Sequence, residues 1–424
     1  MAFFCDLFCT FIAMNLMYNF TAHIVYSLLN IYGLFNKKIQ LFVSGRKKTF
    51  EKLSILKKTD KVIWIHAASL GEFEQARPII EEIHKNYTSY KIVITFFSPS
   101  GYEIQKDYAL ADVTCYLPFD TRAKVKKFLE VTHPELVIIV KYEFWPTLLS
   151  ELKKQSITTI LVSGIFRNTQ QFFKSSSGWM RKALNTFDHF FVQDQTSREL
   201  LASIDLTNSS VCGDTRIDRA FAILEQYNSL SFIEEFINGQ YTTVAGSTWP
   251  EDEEFLVAYI NQSSHEKLII APHKMNDKST KTLKDRINKK VILYSEKEGC
   301  QLSDYDVFII DTIGLLTKIY AYADTAYVGG AFKTGLHNII EPAVFGIPIV
   351  IGPKFSKFKE ALDLVEAKGC VAVKNQEEFS STLEMLKTNE SFRVKTGKIN
   401  FDYVQKNKGA TKKIINYIHH KLSK

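Results

Sequence analysis

The stretch VIWIHAASLGEFEQARPIIEEI, residues 62–83, passes from a continuous apolar run into a helical pattern within a single turn. The apolar run predicts a strand covered on both faces, as in a parallel sheet. Phe73, Ala76 and Ile80 keep helical spacing and predict a helix directly after it. Ligands bind at such strand-to-helix turns in α/β domains. The stretch therefore predicts an α/β fold and makes Glu72, at the turn, a candidate functional residue.

The alternation of strand-like and helix-like segments continues along the chain. The predicted strands cover 62–69, 91–97, 114–120, 136–142, 158–164 and 189–194 in a first series, and 241–247, 267–273, 290–295, 306–312, 325–331 and 348–353 in a second. Two successive series predict two doubly wound, Rossmann-like domains, which suits a length of 424 residues. The boundary is expected within 212–226, where Gly213 leads into a long amphipathic helix.

The composition is that of a folded globular protein, with 46% hydrophobic and 23% charged residues. Six cysteines are scattered without a Cys-x-x-Cys pair, which favours a reducing compartment over a disulfide framework. The sequence contains no His-x-Glu or Asp-x-Asp metal signature and no Walker or dinucleotide glycine pattern. No metal and no bound cofactor are therefore expected.

The N-terminal segment differs from the rest of the chain. No charged residue occurs from Leu7 to Asn36, a length that can cross roughly 30 Å of hydrocarbon, although interspersed polar residues suit a helix in the membrane interface better. Residues 36–58 then carry eight Lys/Arg against one Glu, an excess equal to the chain's net charge of +7. Such a basic segment stays cytoplasmic and attracts anionic lipid. The alternative is a buried helix with a solvated charged face; nucleic-acid binding is not expected.

The most specific chemistry lies in YVGGAFKTGLHNIIEPAVFGIPIVIGP, residues 327–353. A strand ends in a loop that contains Gly330, and Asn338 is predicted to open a short helix with Glu341 at capping-box spacing. The free N–H groups of that helix and the glycine loop would form an anion site for a nucleotide phosphate, and Glu341 would accept hydrogen bonds from a ribose diol. Alternatively, Asn338 and Glu341 only cap the helix.

Other candidates also follow predicted strands. Glu72 is expected at a helix N-terminus, where the dipole keeps the carboxylate ionised and able to take a proton from a hydroxyl. Glu143 lies beside Trp145 after the strand 136–142. Ser247 and His273-Lys274 follow strands of the second domain and are suited to a phosphate or a sugar carboxylate. Each has a structural alternative, as an ordinary helix cap or a solvated loop residue.

Taken in order, these blocks resemble the 3-deoxy-D-manno-octulosonic acid (Kdo) transferases of lipopolysaccharide assembly, from about residue 30 to the C-terminus. The matching blocks are WIHAASLGEFEQARPII, YLPFD, EFWP, AGSTWPEDEE, DTIGLLTKIYAYAD and VGGAFKTGLHNIIEPAVFGIPIVIGP. The resemblance implies a GT-B glycosyltransferase with two Rossmann-like lobes, a cleft between them and an N-terminal membrane anchor. It also implies inverting transfer of Kdo from CMP-Kdo to the tetra-acylated lipid A precursor (lipid IVA) at the cytoplasmic face of the inner membrane.

The resemblance assigns roles and segments. Glu72 would be the catalytic base, with Ser69 and Glu143 on the acceptor side. The expected donor-binding residues are Arg216, Ser247, His273, Gly314, Gly330, Asn338 and Glu341. The expected segments are an anchor (1–36), a basic juxtamembrane segment (37–60), an acceptor domain (61–213), a donor domain (214–400) and a C-terminal basic helix (401–424) that returns to the first domain.

Some positions depart from the family pattern. Residues 96–98 are Phe-Phe-Ser where the family tends to have Thr, and Lys141 stands where a Glu is frequent. Leu315 replaces an acidic residue, and residues 272–274 are Pro-His-Lys instead of Pro-Arg-His. The alternatives are another GT-B enzyme that transfers or epimerises a UDP-linked sugar, and a non-catalytic lipid-binding relative on the membrane.

Overall fold

The computed structural model describes residues 18, 20–174, 178–224, 229–333 and 335–423. They form two compact lobes. The first lobe contains the described residues up to Arg216 and those from Gly409 onwards, and the second lobe is Ile217–Lys408. The first boundary falls three residues after the expected 213/214, because Thr215 Oγ1 donates to the Gln75 carbonyl at 2.6 Å within the first lobe. The second falls at 408/409 instead of 400/401.

The first lobe contains a parallel sheet with the order β3-β2-β1-β4-β5-β6-β7. Its strands are β1 (Lys61–Ala67), β2 (Tyr90–Phe96), β3 (Val113–Tyr116), β4 (Leu136–Val140), β5 (Thr158–Gly164), β6 (His189–Val192) and β7 (Ser209–Val211). β1 pairs with β2 on one side and with β4 on the other. The connections therefore reverse direction between β1 and β4, which is the topological switch point of this doubly wound sheet.

Helices cover the first sheet on both faces. They are α1 (20–32), α2 (Lys37–Lys47), α3 (Thr49–Leu53), α4 (Leu70–Asn86), α5 (Pro99–Gln105), α6 (Arg122–Thr132), α7 (Pro146–Lys154), α8 (Gly178–Leu184) and α9 (Gln195–Ala202), with a 3-10 turn at Gln171–Phe173. Trp64 packs edge-on against Phe128 on one face at 4.8 Å, and Ile65 lies in the core of the other. Alternate residues of β1 thus belong to two separate cores.

The second lobe contains a parallel sheet with the order β10-β11-β9-β8-β12-β13-β14. Its strands are β8 (Thr242–Thr248), β9 (Lys267–Pro272), β10 (Val291–Leu293), β11 (Val307–Ile309), β12 (Thr325–Val328), β13 (Ile349–Ile351) and β14 (Cys370–Ala372). β8 lies between β9 and β12, so the switch point of this sheet is at β8 and β12. The two parallel sheets, each with its own switch point, confirm the two predicted doubly wound domains.

The remaining helices run from the lobe boundary to the C-terminus. They are α10 (Thr215–Leu224), α11 (Ser231–Ile237), α12 (Pro250–Gln262), α13 (Asp277–Asp285), α14 (Leu316–Ile319), α15 (Ile340–Ala343), α16 (Lys359–Glu366), α17 (Gln376–Thr388), α18 (Glu390–Asn407) and α19 (Ala410–Leu422), with 3-10 turns at Tyr294–Glu296, Leu302–Asp304 and Tyr320–Tyr322. Ile414 and Ile418 of α19 are fully buried in the core that also contains Ile79 of α4. The last helix therefore completes the first lobe.

The N-terminal helix α1 presents an apolar surface. Its exposed side chains, and those of the turn after it, are Phe20, Ile24, Val25, Leu28, Ile31, Tyr32, Leu34 and Phe35. Asn36 then caps α2, accepting from the backbone of Lys38 and Ile39. Of the predicted anchor, residues 1–17 and 19 lie outside the described residues. Within the part of the chain that is described, no helix combines the length and apolar character needed to cross a bilayer.

Candidate active site

Two acidic residues follow the two strands at the switch point of the first lobe. Ser69 occupies the N-cap position of α4, and Glu72 is the third residue of that helix. Glu143 lies in the loop between β4 and α7. Because β1 and β4 are paired neighbours, the loops after them meet at one edge of the sheet. The structure therefore brings Ser69, Glu72 and Glu143 to the edge where their sequence positions predicted a site.

The Glu72 carboxylate is held close to the backbone turn that precedes it. Its Oε2 accepts a 2.5 Å hydrogen bond from the N–H of Ala68. Burial raises the pKa of Glu72 above its ordinary value, and the Glu143 carboxylate raises it further, against the opposing effects of the Ala68 N–H, His66 and Lys141. The helix terminus was expected to favour the ionised carboxylate, whereas burial opposes ionisation. A carboxylate whose pKa is raised is a stronger proton acceptor once it is ionised.

Glu143 is fixed by two aromatic side chains. Its Oε2 accepts a 2.6 Å hydrogen bond from Trp145 Nε1 and lies 3.4 Å from His66 Nε2. His66 is fully buried, and its Nδ1 lies 2.8 Å from Thr95 Oγ1. The sequence reasoning missed His66 and Thr95. The available signal was a polar residue inside each of two otherwise apolar buried strands, and such residues need partners.

Lys141 follows β4 directly and has a φ of 61°, in the left-handed region that non-glycine residues rarely adopt. Its N–H donates to the Val162 carbonyl at 3.0 Å, so neighbouring β5 holds this backbone in place. The positive charge of Lys141 acts to lower the pKa of both Glu72 and Asp214. Strained residues of this kind concentrate at functional sites.

Arg216 lies in the first lobe and is engaged there by Asp214. The two side chains form a 2.6 Å ion pair, and Arg216 Nε also donates to Asp214 at 3.0 Å. Burial alone would raise the pKa of Asp214, but the Arg216 guanidinium and its hydrogen bonds bring that pKa below its ordinary value. Gln75 of α4 completes the group, 3.4 Å from the Asp214 carboxylate. Arg216 was predicted as a donor-binding residue, and its ion-pair partner Asp214 belongs to the lobe that carries Glu72.

In the second lobe, an aromatic cluster lies at the corresponding sheet edge. Trp249, just after β8, donates from Nε1 to His337 Nε2 at 2.9 Å. It also stacks on His273 at 4.8 Å between ring centroids, and the two histidine rings are 4.4 Å apart. Burial, with His273 nearby, lowers the pKa of His337 to about 4. Burial and the Lys274 charge likewise lower the pKa of His273. Both shifts favour the neutral imidazoles.

The glycine loop after β12 is organised by Asp252. Its Oδ2 accepts from the N–H groups of Gly330, at 2.8 Å, and Trp249, at 2.9 Å. Gly330 has a φ of 94°, and a Cβ on it would lie 2.3 Å from the Gly335 carbonyl oxygen. Ser247, at the end of β8, has a φ of 54°. The structure therefore places Ser247, His273 and Gly330 at one edge of the second sheet. The backbone around Gly330 leaves no room for a side chain at that position.

The helix after this loop differs from the prediction. It spans only Ile340–Ala343, and Asn338 Oδ1 accepts from the Ile340 N–H at 3.1 Å. Asn338 Nδ2 donates to Glu341 Oε1 at 3.0 Å, so the predicted reciprocal capping box is not formed. Thr317 Oγ1 donates to the other Glu341 oxygen at 2.8 Å. A one-turn helix has only a small dipole, because few peptide units are aligned. The polar side chains, not the helix dipole, define this site.

Two further predicted features can be placed. Gly346 has a φ of 68°, the left-handed conformation expected for the end of the short helix. Gly314 has a φ of 94° in the loop before α14, which also carries Thr317. Among the residues that the structure describes, no group of three or more His, Cys, Asp or Glu side chains is placed to hold a metal ion. The contact between Trp249 and His337 was not predicted. The two residues are 88 positions apart in the sequence, so no local pattern indicates that they meet.

Comparison with known proteins adds to this geometry. Residues 44–219 match the sequence model of the family described as 3-Deoxy-D-manno-octulosonic-acid transferase (kdotransferase). The 3-deoxy-D-manno-octulosonic acid transferase of Aquifex aeolicus is 28% identical over 372 residues, which cover 85% of this chain and 96% of that protein. The enzyme of the same name from Rickettsia bellii is 26% identical, with 82% of this chain and 84% of that protein covered.

Solved structures show the fold independently. The UDP-GlcNAc 2-epimerase from Neisseria meningitidis matches 84% of this chain and 99% of its own with a TM-score of 0.60 and 16% identity. A putative UDP-N-acetylglucosamine 2-epimerase from Listeria monocytogenes gives a TM-score of 0.58 at 12% identity, with 86% of this chain and 97% of that chain covered. The Rossmann-like lobes, the family match and the relatives along most of the chain agree. The chain is similar to Kdo transferases along most of its length, and the relatives indicate a glycosyltransferase with a GT-B-like fold.

Proposed function

We propose that this enzyme transfers Kdo from CMP-Kdo to a hydroxyl of the tetra-acylated lipid A precursor, lipid IVA, with inversion at the anomeric carbon. The family supports the transfer of Kdo. The observation that carries the mechanism is the half-buried Glu72 carboxylate at the switch point, with its pKa raised by desolvation and by Glu143. A carboxylate in such surroundings accepts a proton from a hydroxyl more readily than one in water.

The proposed step is a single displacement. The acceptor hydroxyl oxygen forms a bond to the anomeric carbon of Kdo while the bond from that carbon to the CMP phosphate oxygen breaks. The hydroxyl proton passes to Glu72, and CMP leaves as an anion. The Ala68 N–H holds Glu72 Oε2, so Oε1 is the oxygen proposed to receive the proton. Ser69 and Glu143 are proposed to orient the acceptor.

The donor is proposed to bind at the switch point of the second lobe. The Gly330 backbone, Ser247 and His273 are suited to the phosphate and the sugar carboxylate, because glycine admits close approach and the side chains offer hydrogen bonds. Asn338 and Glu341 are proposed to bind the ribose, with Gly314 shaping the neighbouring loop. Arg216 is proposed to contribute charge near the donor. The reaction is proposed to need no metal ion or bound cofactor, and undiminished transfer in EDTA is the expected check.

The site of action is proposed to be the cytoplasmic face of the inner membrane. The exposed apolar side chains of α1 supply surface for the membrane interface. Lys37, Lys38 and Lys47 of α2 supply positive charge beside it, which favours anionic lipid. Sedimentation with vesicles that contain anionic lipid, compared with neutral vesicles, tests this location.

Mass spectrometry of lipid IVA incubated with fresh CMP-Kdo and purified enzyme tests the reaction. Added mass in Kdo steps is expected with the wild type, and Glu72→Gln should lower the rate by about 10²-fold or more, the usual scale for a general base. Glu82→Gln, whose carboxylate contacts Asn86 at the surface of the same helix, is the matched control and should keep full activity. No added mass with the wild type would refute the reaction. Near-normal turnover by Glu72→Gln would remove that residue from the mechanism.

Nucleotide preference separates the proposal from a UDP-sugar enzyme. CMP should raise the melting temperature of the wild type more than UMP or UDP at equal concentration, because at a given concentration the ligand with the lower Kd stabilises the folded state more. Preferential protection by the uridine nucleotides would instead favour transfer or epimerisation of a UDP-linked sugar.

A further inference from the structure

An apolar cavity of about 280 Å³ opens in the first lobe beside the candidate active site. Val25 and Leu29 of α1 form its outer side, and Phe42 of α2 lies next to them. Phe97 and Trp145, in the loops after β2 and β4, form its inner side. The cavity therefore lies at the carboxyl edge of the sheet, where ligands of doubly wound domains bind.

The polar groups in the wall already have partners. Asp120 accepts from the backbone N–H groups of Thr147, at 3.1 Å, and Leu148, at 2.9 Å. The indole nitrogen of Trp145 donates to Glu143, so the ring alone is presented to the cavity. A polar ligand would find few hydrogen bonds here, whereas an apolar chain would lose none on entry. The cavity thus selects for hydrocarbon.

The cavity is connected to the catalytic groups through Trp145. This ring stacks on Phe97 at 4.8 Å, lines the cavity and bonds Glu143, whose charge acts on Glu72. On its other side the cavity is bordered by α1, which carries exposed Phe20, Ile24 and Leu28. A ligand with its polar head at Glu72 and a hydrocarbon chain would therefore meet apolar surface along its length.

We propose that this cavity binds one acyl chain of the acceptor lipid and thereby positions the sugar hydroxyl at Glu72. The inference rests on the proposed function, in which the acceptor is an acylated sugar. A volume of about 280 Å³ is just below the range of small-molecule sites, roughly 300–1,000 Å³, so it suits a segment of one chain and not a whole multi-chain lipid. The other chains remain at the exposed surface of α1. The cavity is therefore a specificity site for the acylated acceptor.

Fluorescence quenching tests the occupant without any turnover. A fatty acid brominated on its chain, added below its micelle concentration, should quench the tryptophan emission of the full-length protein. In a Trp179→Phe background, Trp145→Phe should abolish the saturable part of the quenching, because Trp64 is fully buried against Phe128 and Trp249 belongs to the second lobe. Saturable quenching that survives in Trp145→Phe, or no quenching in the wild type, would overturn the inference.

A matched pair of substitutions on α1 links binding to catalysis. Ala22 lines the cavity, so Ala22→Phe should block it, abolish the quenching and lower kcat/KM for lipid IVA by about tenfold, the equivalent of one lost apolar contact of 1.4 kcal/mol. Ser27→Phe, at an exposed position of the same helix outside the cavity, should leave both unchanged. Equal behaviour of the two variants with an active wild type would refute the acyl site alone. A wild type that binds the fatty acid but transfers no Kdo would refute the proposed function alone.

Discussion

Trp145 donates a 2.6 Å hydrogen bond from its indole Nε1 to Oε2 of Glu143, the oxygen that also lies 3.4 Å from His66 Nε2. One aromatic residue thus orients an acidic group at the sheet edge and forms part of an apolar wall. Because Glu143 raises the pKa of Glu72, this orientation bears on the proton affinity of the proposed base. The proton affinity of Glu72 therefore depends on its burial and on Glu143, in the loop after the neighbouring strand β4.

Substitution of Glu143 should therefore change the pH dependence of transfer. Glu143→Gln removes a negative charge that raises the pKa of Glu72, so that pKa falls. The acidic limb of the kcat/KM profile, which reports the base of the free enzyme, should move to lower pH. Steady-state kinetics across pH 4.5–8 would measure it, and an unmoved limb would separate Glu143 from Glu72.

Lys141 provides the opposite test. Its positive charge lowers the pKa of Glu72, so Lys141→Gln should raise that pKa and move the same limb to higher pH. The glutamine keeps a side chain of similar length on the strained backbone, whose φ is 61°. Shifts of Glu143→Gln and Lys141→Gln in the same direction would contradict electrostatic control and indicate a structural change.

Glu72→Gln should stabilise the fold at neutral pH. In the folded state the pKa of Glu72 is above its unfolded value, so ionisation destabilises the protein increasingly as pH rises through the interval between the two values. The amide cannot ionise and can still accept from the Ala68 N–H. The melting temperature of Glu72→Gln minus that of the wild type should therefore grow from pH 4 to pH 8. A difference that stays constant with pH would argue against a desolvated carboxylate.

His337 should contribute to acid sensitivity of the second lobe. Its pKa is lowered to about 4 in the fold, whereas an unfolded histidine titrates near 6.5. The unfolded chain thus binds an extra proton between those values, and stability is lost as pH falls from about 6.5 towards 4. His337→Asn should flatten the slope of unfolding free energy against pH by at most about 1.4 kcal/mol per pH unit, less because the ring is only partly buried. His265→Asn, at an exposed position, is the control, and urea unfolding at each pH gives the free energies from which the slopes are obtained.

Gly330→Ala should be more costly than Gly299→Ala. Both glycines have positive φ, 94° and 79°, so each alanine is strained by roughly 1–2 kcal/mol. Only at Gly330 would the new Cβ also meet a carbonyl oxygen, at 2.3 Å from Gly335, whereas nothing lies within 4 Å at Gly299. The melting temperature and the protection by CMP should fall further for Gly330→Ala. Equal losses would show that the glycine loop is not closely packed.

Two of the edge strands, β7 and β14, could not be predicted from an apolar pattern. The buried strands were predicted because each reads as a continuous apolar run, but β7 and β14 have only three residues each and include polar or small side chains. Their strand conformation comes from pairing with β6 and β13.

The capping box predicted for Asn338 and Glu341 is not formed, again because of contacts that a local pattern does not contain. Glu341 bonds Thr317, a residue from another element, and the two side chains bond each other directly.

The sequence by itself determined the two doubly wound lobes, the strand-to-helix turns and the positions of Glu72, Glu143 and Gly330 after strands. Those features depend on local apolar periodicity and on glycine, which act over a few residues. Only the tertiary structure decided that β1 lies beside β4 and β8 beside β12. It also decided that burial, Glu143 and Lys141 together set the pKa of Glu72. Desolvation and charge act through space, so they depend on which distant segments fold next to one another.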